Sequence, residues 1–392
     1  MKLSKSGHQR LVIDGKPLID AHFSGIGHYT MSLLQALDGL LADEPDLDVR
    51  LAVPMRKVGE LARFGFRRIR PLAIPMPYTT MRRLIEQGRL PRMDRICGRG
   101  TYFFPNYVRW PLASSPSITA VHDLSFDKVP DSVDGPNAVF LRREVRQSVE
   151  RSDLVTALTA TMADEIAEHY GVSRAKVHIL GGAADRQRFY KRSDQEVDAV
   201  KRAYGVFGDY LVTVGNIEPR KNQIRLIDAF CALPRDLTDG LTLVLVGAGA
   251  WNEALIHARV EEALGAGFKV KLLLGSVVDE DLPALYSGAR CSVYVSVYEG
   301  FGMPPLESMA CQTPVVSSSR SVMPEVAGGA AVLVDPLDQE AITAGLERVL
   351  RLDPVTRNDL VQRGLRNVDR FEWSSAARSL LAAVRSLEAV RS

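Results

Sequence analysis

Two short stretches carry residue types at spacings that can do chemistry. Residues 298–307, YEGFGMPPLE, set Glu299 and Glu307 eight positions apart, with Gly300, Gly302, Pro304 and Pro305 between them. Residues 215–222, GNIEPRKN, set Arg220 beside Lys221. A hydrolytic carboxylate pair is one reading of the glutamates, but retaining glycosidases hold their carboxyls about 5–5.5 Å apart, whereas eight residues of helix span about 12 Å. Two separate roles along an extended ligand are the more natural reading. Glu307, placed in the first turn of a helix starting at Pro305, either binds a ligand or only favours the helix dipole. Glu299 stands beside two glycines at a strand end, with no evident capping or packing task. Arg220 and Lys221 fall where the next helix begins, against its dipole. A bound diphosphate would offset that cost, with Arg as a bidentate donor and Lys as a point charge; the alternative is a solvated surface pair.

These residues need a scaffold. In the second half, YLVTV, LTLVLV, KVKLLL, CSVYVSV and PVVSS alternate with amphipathic helices, and the first half repeats the pattern from LVI (Leu11 to Ile13) through SITAV, LVTAL and KVHIL. Near-continuous apolar strands between helices predict parallel sheets covered on both faces, hence two Rossmann-like domains. Ligands then lie beyond the carboxyl ends of the strands. That places Gly25–His28, His122 with Asp123, Gly215–Lys221, Gly247–Gly249, Gly275–Val277 and Tyr298–Glu307 at candidate positions. SGIGHYT reads as a two-glycine loop before a helix. Thr161-x-x-Asp164 reads as a capping box closed by Gly171. Asp123 either orients His122 or caps the next turn. The GAG at residues 247–249 does not complete a dinucleotide fingerprint. Asp46-Leu47-Asp48 has a D-x-D form that can hold a metal, but it reads as a solvated turn.

The 392 residues, 46% of them hydrophobic, suffice for two cores. Cys97, Cys231, Cys291 and Cys311 show no metal or disulfide spacing. No run approaches the roughly 18 apolar residues of a membrane span. The expectation is a cytoplasmic protein, with contact to the inner face of the plasma membrane left open. That option rests on residues 50–109, where 14 Lys or Arg face only Glu60, Glu86 and Asp94. Interleaved with Phe64, Phe66, Met76, Pro77 and Tyr78, this stretch suits an anionic membrane surface or a polyprenyl diphosphate-linked acceptor, or is a solvated helix face. Nucleic acid is a poorer partner.

The set GIGHYT, VHDLS, LVTALTATMADEI, VGNIEPRKN, LVGAG, YEGFGMPPLESMACQTPVV and MPEVAGGAAVLVDP resembles family 4 of the retaining, sugar-nucleotide-dependent glycosyltransferases of the GT-B fold. Within that family it is most similar to bacterial mannosyltransferases of O-antigen and capsule assembly. The resemblance implies two Rossmann-like domains facing each other across a cleft: an acceptor-side domain at 1–188, a nucleotide-sugar domain at 189–375, and a C-terminal helix at 376–392 crossing back. It implies catalytic roles for Glu299, His122, Arg220 and Lys221. Glu307 would bind the ribose, Glu299 and the backbone of Phe301 and Gly302 the sugar, Gly27 the phosphates, and Ser276 and Val277 the base. Asp123, Asn216, Tyr298, Gly300 and Leu306 would complete the donor surface. The expected reaction is retaining transfer of a hexose, mannose from GDP-mannose first, to a saccharide or lipid-linked acceptor, with no metal or other cofactor. GDP-rhamnose, a UDP-sugar donor, or a sugar-nucleotide epimerase are the alternatives; a dehydrogenase, a phosphorylase and a non-enzymatic sugar-nucleotide binder fit less well. The sequence departs from the family pattern at Asn216, where Arg is frequent, at Gly181-Gly182, at His28 and at Gln312, where Gly is common.

Overall fold

The apolar runs pair side by side because each is covered above and below by helices. In the computed structural model, which describes residues 9–19, 25–129, 135–248 and 253–389, they form two all-parallel sheets. The first holds β1 Gln9–Asp14, β2 Leu47–Pro54, β3 Arg70–Ile74, β4 Thr101–Phe104, β5 Ser117–Ala120, β6 Leu154–Ala157 and β7 Val177–Ile179, in the order 3-2-1-4-5-6-7. The second holds β8 Asp209–Val214, β9 Leu241–Gly247, β10 Lys269–Leu274, β11 Cys291–Tyr294, β12 Val315–Ser318 and β13 Val332–Val334, in the order 10-9-8-11-12-13. In each sheet the winding reverses once, between β1 and β4 and between β8 and β11. Such a switch point leaves a crevice at the strands' carboxyl ends, where the connecting helices depart to opposite faces.

The chain divides into two units. One comprises Met1–Asp127, Asp134–Gly182 and Trp373–Ser392, the other Lys128–Val133 and Ala183–Glu372. The division thus runs at Gly182–Ala183 rather than at residue 188, and the last helix, Trp373–Ala389, belongs to the first unit. It does so because its apolar stripe, Ala377, Leu380 and Val384, completes the core around Leu33, Leu34 and Leu37 of helix Gly25–Leu40. Burying each leucine there stabilises the unit by roughly 1.5–3 kcal/mol.

Several local expectations shift. Gly25 is already the first helical residue, so GIGHYT forms helix and not a loop, and Ser24 lies outside the described residues. The cap of helix Ala160–Tyr170 is Thr159, whose Oγ1 accepts from Met162 N at 3.0 Å, with Gly171 closing the helix in the left-handed region as expected. Thr161 is too far inside to cap, and Asp164 instead pairs with Arg174 at 2.5 Å. Asp48 is no turn residue: it lies on β2 and accepts from Arg10, Arg50 and Arg70 at 2.8–3.2 Å. Gln312 adopts φ +62°, a left-handed conformation that explains why glycine suits this position.

Candidate active site

The β8–β11 switch point assembles the predicted cluster. After β8 the chain makes a single 3-10 turn, Pro219–Lys221, before helix Gln223–Cys231 starts behind Asn222. Arg220 and Lys221 therefore precede the helix rather than occupy its first turn. The strand opposite, β11, ends at Tyr294 and not at Val297. Beyond it the neighbour is no longer a strand: Val295 O accepts from Asn222 Nδ2 at 3.0 Å and Val297 N donates to Arg220 O at 2.9 Å. Asn222, at φ +61°, also donates to Pro336 O at 2.7 Å. One buried asparagine thus ties the cationic turn to the end of β11.

Glu299 then lands between the two cations. Its Oε2 accepts from Arg220 Nη1 at 2.7 Å and its Oε1 from Lys221 Nζ at 2.6 Å. Arg220 spans further, to Glu218 Oε1 at 2.7 Å and to Tyr298 O at 3.0 Å. Ser321 Oγ fixes the Glu299 backbone by donating to its carbonyl at 2.7 Å. Only 12% of the Glu299 side chain is exposed. Burial would raise this carboxyl, but the Arg220 and Lys221 charges outweigh it and hold the group at about 2. The sequence showed no packing task for Glu299; the structure supplies one, as counter-ion to both cations. No ligand is required to offset the Arg220–Lys221 charge.

Glu307 sits in the opposite environment. Its helix, Met303–Ala310, starts two residues earlier than Pro305, with Gly302 capping at φ +95°. A side chain at Gly302 would be strained at that φ and would press on Met323 Sδ at 2.9 Å. Pro304 and Pro305 fit the first turn because they lack N–H groups that would be unpaired there. They also reduce the free donors at this terminus, leaving the Gly302 and Met303 amides. Glu307 is the fifth helical residue, past the first turn, so dipole stabilisation does not account for it. Tyr286 Oη donates to Glu307 Oε2 at 3.2 Å and lies 2.9 Å from Tyr294 Oη. Burial raises the Glu307 carboxyl to about 7, more than the nearby Arg188 charge and the Tyr286 bond lower it. Arg188 is itself held by Asp279 O at 2.6 Å.

The remaining second-unit positions divide between surface and core. Asn216 and Ser276 are exposed and Val277 half-buried at the strand ends. Gly300 is buried, Tyr298 contributes its carbonyl to Arg220, and the side chains of Phe301 and Leu306 are packed inside, Phe301 edge-on to Phe371. Those two can meet a ligand only through backbone. Gly247 serves packing, since a Cβ there would lie 2.0 Å from Gly215 O; Gly249 lies outside the described residues.

In the first unit His122 is buried beyond β5. Its Nε2 lies 2.7 Å from Pro105 O, and because a carbonyl only accepts, Nε2 carries the proton. Burial lowers the ring's pKa, more than Pro105 and Asp123 raise it, so the imidazole is neutral. The rings of Tyr29 and Tyr107 meet it edge-on at 5.2 and 5.6 Å. Asp123 caps the next turn, accepting from Ser125 N and Oγ at 2.9 and 2.7 Å. Gly27 is buried within its helix. At the β1–β4 switch point lies a cavity of about 390 Å³ lined by aromatic and polar side chains including Asp14, Tyr78, Asn106, Tyr107 and Phe140. Tyr78 Oη reaches Asp14 Oδ1 at 2.7 Å. Sequence reasoning missed this cavity, and with it Asn222, Ser321, Tyr286 and Arg188. Asp14 was accessible in principle as the polar residue closing LVID, and Asn222 as the last residue of GNIEPRKN; Tyr286 lies on the short helix Leu282–Ser287, and Arg188 and Ser321 lie in turns with no motif of their own. Among the described residues no group of three His, Cys, Asp or Glu is placed to hold a metal, and no helix is long and apolar enough to cross a membrane.

Residues 23–188 match the family Glycosyltransferase Family 4, and residues 204–366 match Glycosyl transferases group 1. The chain is 31% identical over 289 residues to the O-antigen chain mannosyltransferase B of Escherichia coli, which covers 73% of this chain and 74% of that protein. To the serotype-specific mannosyltransferase WbdA of Escherichia coli it is 28% identical over 229 residues, 58% of this chain but only 28% of the relative. The structure of HepE from Anabaena in complex with UDP and glucose shares the fold, with a TM-score of 0.68 at 16% identity over 97% of this chain and 100% of that one. Two doubly wound parallel sheets of this kind define the GT-B class. The chain belongs to the family 4 glycosyltransferases, and its activity is glycosyl transfer.

Proposed function

We propose that the protein is a retaining mannosyltransferase that moves mannose from GDP-mannose onto a saccharide or polyprenyl diphosphate-linked acceptor in bacterial O-antigen synthesis. The carrying observation is the Arg220–Glu299–Lys221 cluster at the β8–β11 switch point. It presents two fixed cations where a diphosphate leaves, the electrostatic contribution that usually dominates such reactions. The mannose and O-antigen assignments rest on the similarity to the Escherichia coli mannosyltransferase.

In this reading the second domain holds the donor. Arg220 and Lys221 grip the diphosphate, with Asn216 beside them, Ser276 and Val277 border the base, Glu307 takes the ribose hydroxyls, and Glu299 with the Gly300–Gly302 backbone takes the sugar. The first domain supplies His122 and the acceptor surface. The acceptor oxygen bonds to the anomeric carbon on the face the diphosphate leaves, the carbon–oxygen bond to the diphosphate breaks, and a departing phosphate oxygen takes the acceptor proton. Supporting this front-face step over double displacement, both Glu299 oxygens are engaged by cations and its carboxyl is held at about 2, which suits a weak nucleophile. In this reading Arg220 and Lys221, and no metal, meet the charge of the departing diphosphate.

Membrane contact through residues 50–109 is electrostatic in this reading. Phe64 and Phe66 stack at 5.8 Å and pack on the core, and Tyr78 is hydrogen-bonded to Asp14, so these rings are not free to insert. Exposed Arg56, Arg67, Arg68 and Arg83 remain to meet anionic lipid.

Release of nucleoside diphosphate from a panel of GDP-, UDP- and dTDP-sugars with a lipid-linked saccharide tests the assignment. GDP-mannose should be turned over best, with the product linkage retaining the donor's anomeric configuration by NMR. Preference for another base or sugar removes the mannose reading, and wild-type turnover in both Glu299→Ala and Lys221→Ala removes the site assignment.

A further inference from the structure

The first unit holds a second cavity, at the amino ends of its strands. Helix Gly135–Arg151 runs back from the carboxyl ends of the strands to their amino ends, so its first half borders the switch-point cavity and its last turns lie near the start of β5 and β6. There a polar cavity of about 220 Å³ is lined by Arg92, Arg109, Arg151, Ser148, Gln147 and Glu144, among others. We infer that this cavity is a binding site for a phosphate or diphosphate group, remote from the strand ends used in glycosyl transfer.

Three observations carry this. First, the cavity gathers three arginines, and among the described residues none of the three forms an ion pair. Second, Arg109 is fixed rather than loose: its Nε donates to Ser117 Oγ at 2.8 Å, its Nη1 to Trp110 O at 3.2 Å, and its backbone N to Ser148 Oγ at 2.9 Å. Arg92 is likewise held, through Nη1 to Leu112 O at 3.1 Å. Third, the two acids nearby, Glu144 in the lining and Asp153 behind Ser117, each have a partner of their own and are outnumbered by the three arginines. Glu144 accepts from Arg143 at 2.7 Å, and Asp153 accepts from Ser117 N at 2.8 Å. Burial, together with the Arg151 and Arg92 charges, lowers the Arg109 pKa against the pull of Asp153 and Asp94. Three cations that repel one another across a polar cavity are the arrangement that an oxyanion relieves, and planar guanidiniums suit phosphate oxygens. A solvated surface cluster would leave the arginines mobile; two of these three are anchored to backbone.

Inorganic pyrophosphate is the probe, titrated calorimetrically into the full chain. The donor site offers a second place for it, so Lys221→Ala is run in parallel. The inference expects a binding component that survives Lys221→Ala and weakens about tenfold in Arg151→Gln and further in Arg92→Gln/Arg151→Gln, as for loss of charge-assisted hydrogen bonds. Arg151 is exposed at the helix end, and unchanged thermal unfolding of Arg151→Gln confirms that folding is intact. Arg151→Lys should restore part of the affinity. Vesicles of phosphatidylglycerol against phosphatidylcholine separate the sources: arginine-dependent binding to the anionic vesicles identifies a lipid headgroup, and arginine-dependent binding of pyrophosphate alone identifies a soluble phosphorylated ligand. Pyrophosphate binding that is absent in Lys221→Ala, or indifferent to Arg92 and Arg151, overturns the site.

Discussion

The two switch points of this chain are built by the same topology and filled by different chemistry. Between β8 and β11, buried Glu299 and half-buried Glu218, Arg220 and Lys221 neutralise one another at 2.6–2.7 Å. Between β1 and β4 there is instead an aromatic-lined cavity whose one buried acid, Asp14, is held by Tyr78 Oη and the Lys16 amide. A self-neutralised charge cluster suits a partner whose charge changes during reaction, as a departing diphosphate does, because the dipoles and ions are already in place. An aromatic-and-polar cavity suits a partner recognised by shape and hydroxyl groups. The same contrast recurs within ten residues of the second unit, where Glu299 is held at about 2 and Glu307 is raised to about 7.

The largest effect should come from Lys221→Ala. On the proposed reading it removes one cation from the leaving group, along with half the compensation of a buried carboxylate, so turnover should fall on the order of 10²–10³-fold. Nucleoside diphosphate release under saturating donor measures it; a change confined to KM would mean that the cluster binds the ground state and does not stabilise departure. Glu299→Gln sharpens the same point through stability. Its carboxyl moves from an ordinary 4.5 to about 2 on folding, so it contributes on the order of 3 kcal/mol at neutral pH. The sign follows from that depression: the contribution is complete above about pH 4.5 and is lost as pH falls toward 2. Thermal unfolding of the wild type and Glu299→Gln should therefore differ most at neutral pH and converge in acid.

Glu307→Gln should behave in reverse, with a smaller amplitude. A carboxyl raised to about 7 costs nothing below its unfolded pKa and destabilises increasingly as pH rises through 7, by roughly 1–2 kcal/mol once partial solvation is discounted. The glutamine variant should be the more stable protein at pH 8 and indistinguishable near pH 4. If Glu307 binds ribose as its carboxylate, donor affinity of the wild type should also rise with pH across 7 and lose that dependence in the variant.

The sequence was most legible where one strand or one motif decides the outcome. The apolar runs gave two parallel sheets, and strand-end reasoning placed Arg220, Lys221, Glu299 and Glu307 on one side of the second. What it could not give was which of these groups satisfy one another. Glu299 and Lys221 are 78 positions apart, and their 2.6 Å contact exists only because β8 and β11 are neighbours across a reversal of winding. Helix starts were placed too late, by two residues at Pro305, for a related reason: Pro304 and Gly25 each permit helix or loop locally, and packing settles the choice. The β1–β4 cavity was invisible because Asp14, Tyr78, Asn106 and Phe140 come from four separate segments with no pattern in common.

The smallest effect tests that cavity. Tyr78 Oη reaches Asp14 Oδ1 at 2.7 Å and Ala52 O at 3.0 Å, so Tyr78→Phe removes one shared proton and keeps the ring. Stability should fall by about 1 kcal/mol, the usual net worth of such a bond. Asp14, still held by the Lys16 amide at 3.0 Å, loses the Tyr78 donor. If the first switch point takes the acceptor by shape and hydroxyl contacts, the acceptor KM should rise severalfold while the donor KM stays unchanged. An equal rise in donor KM would break the comparison, because a cavity of one sheet would then be serving the ligand assigned to the other.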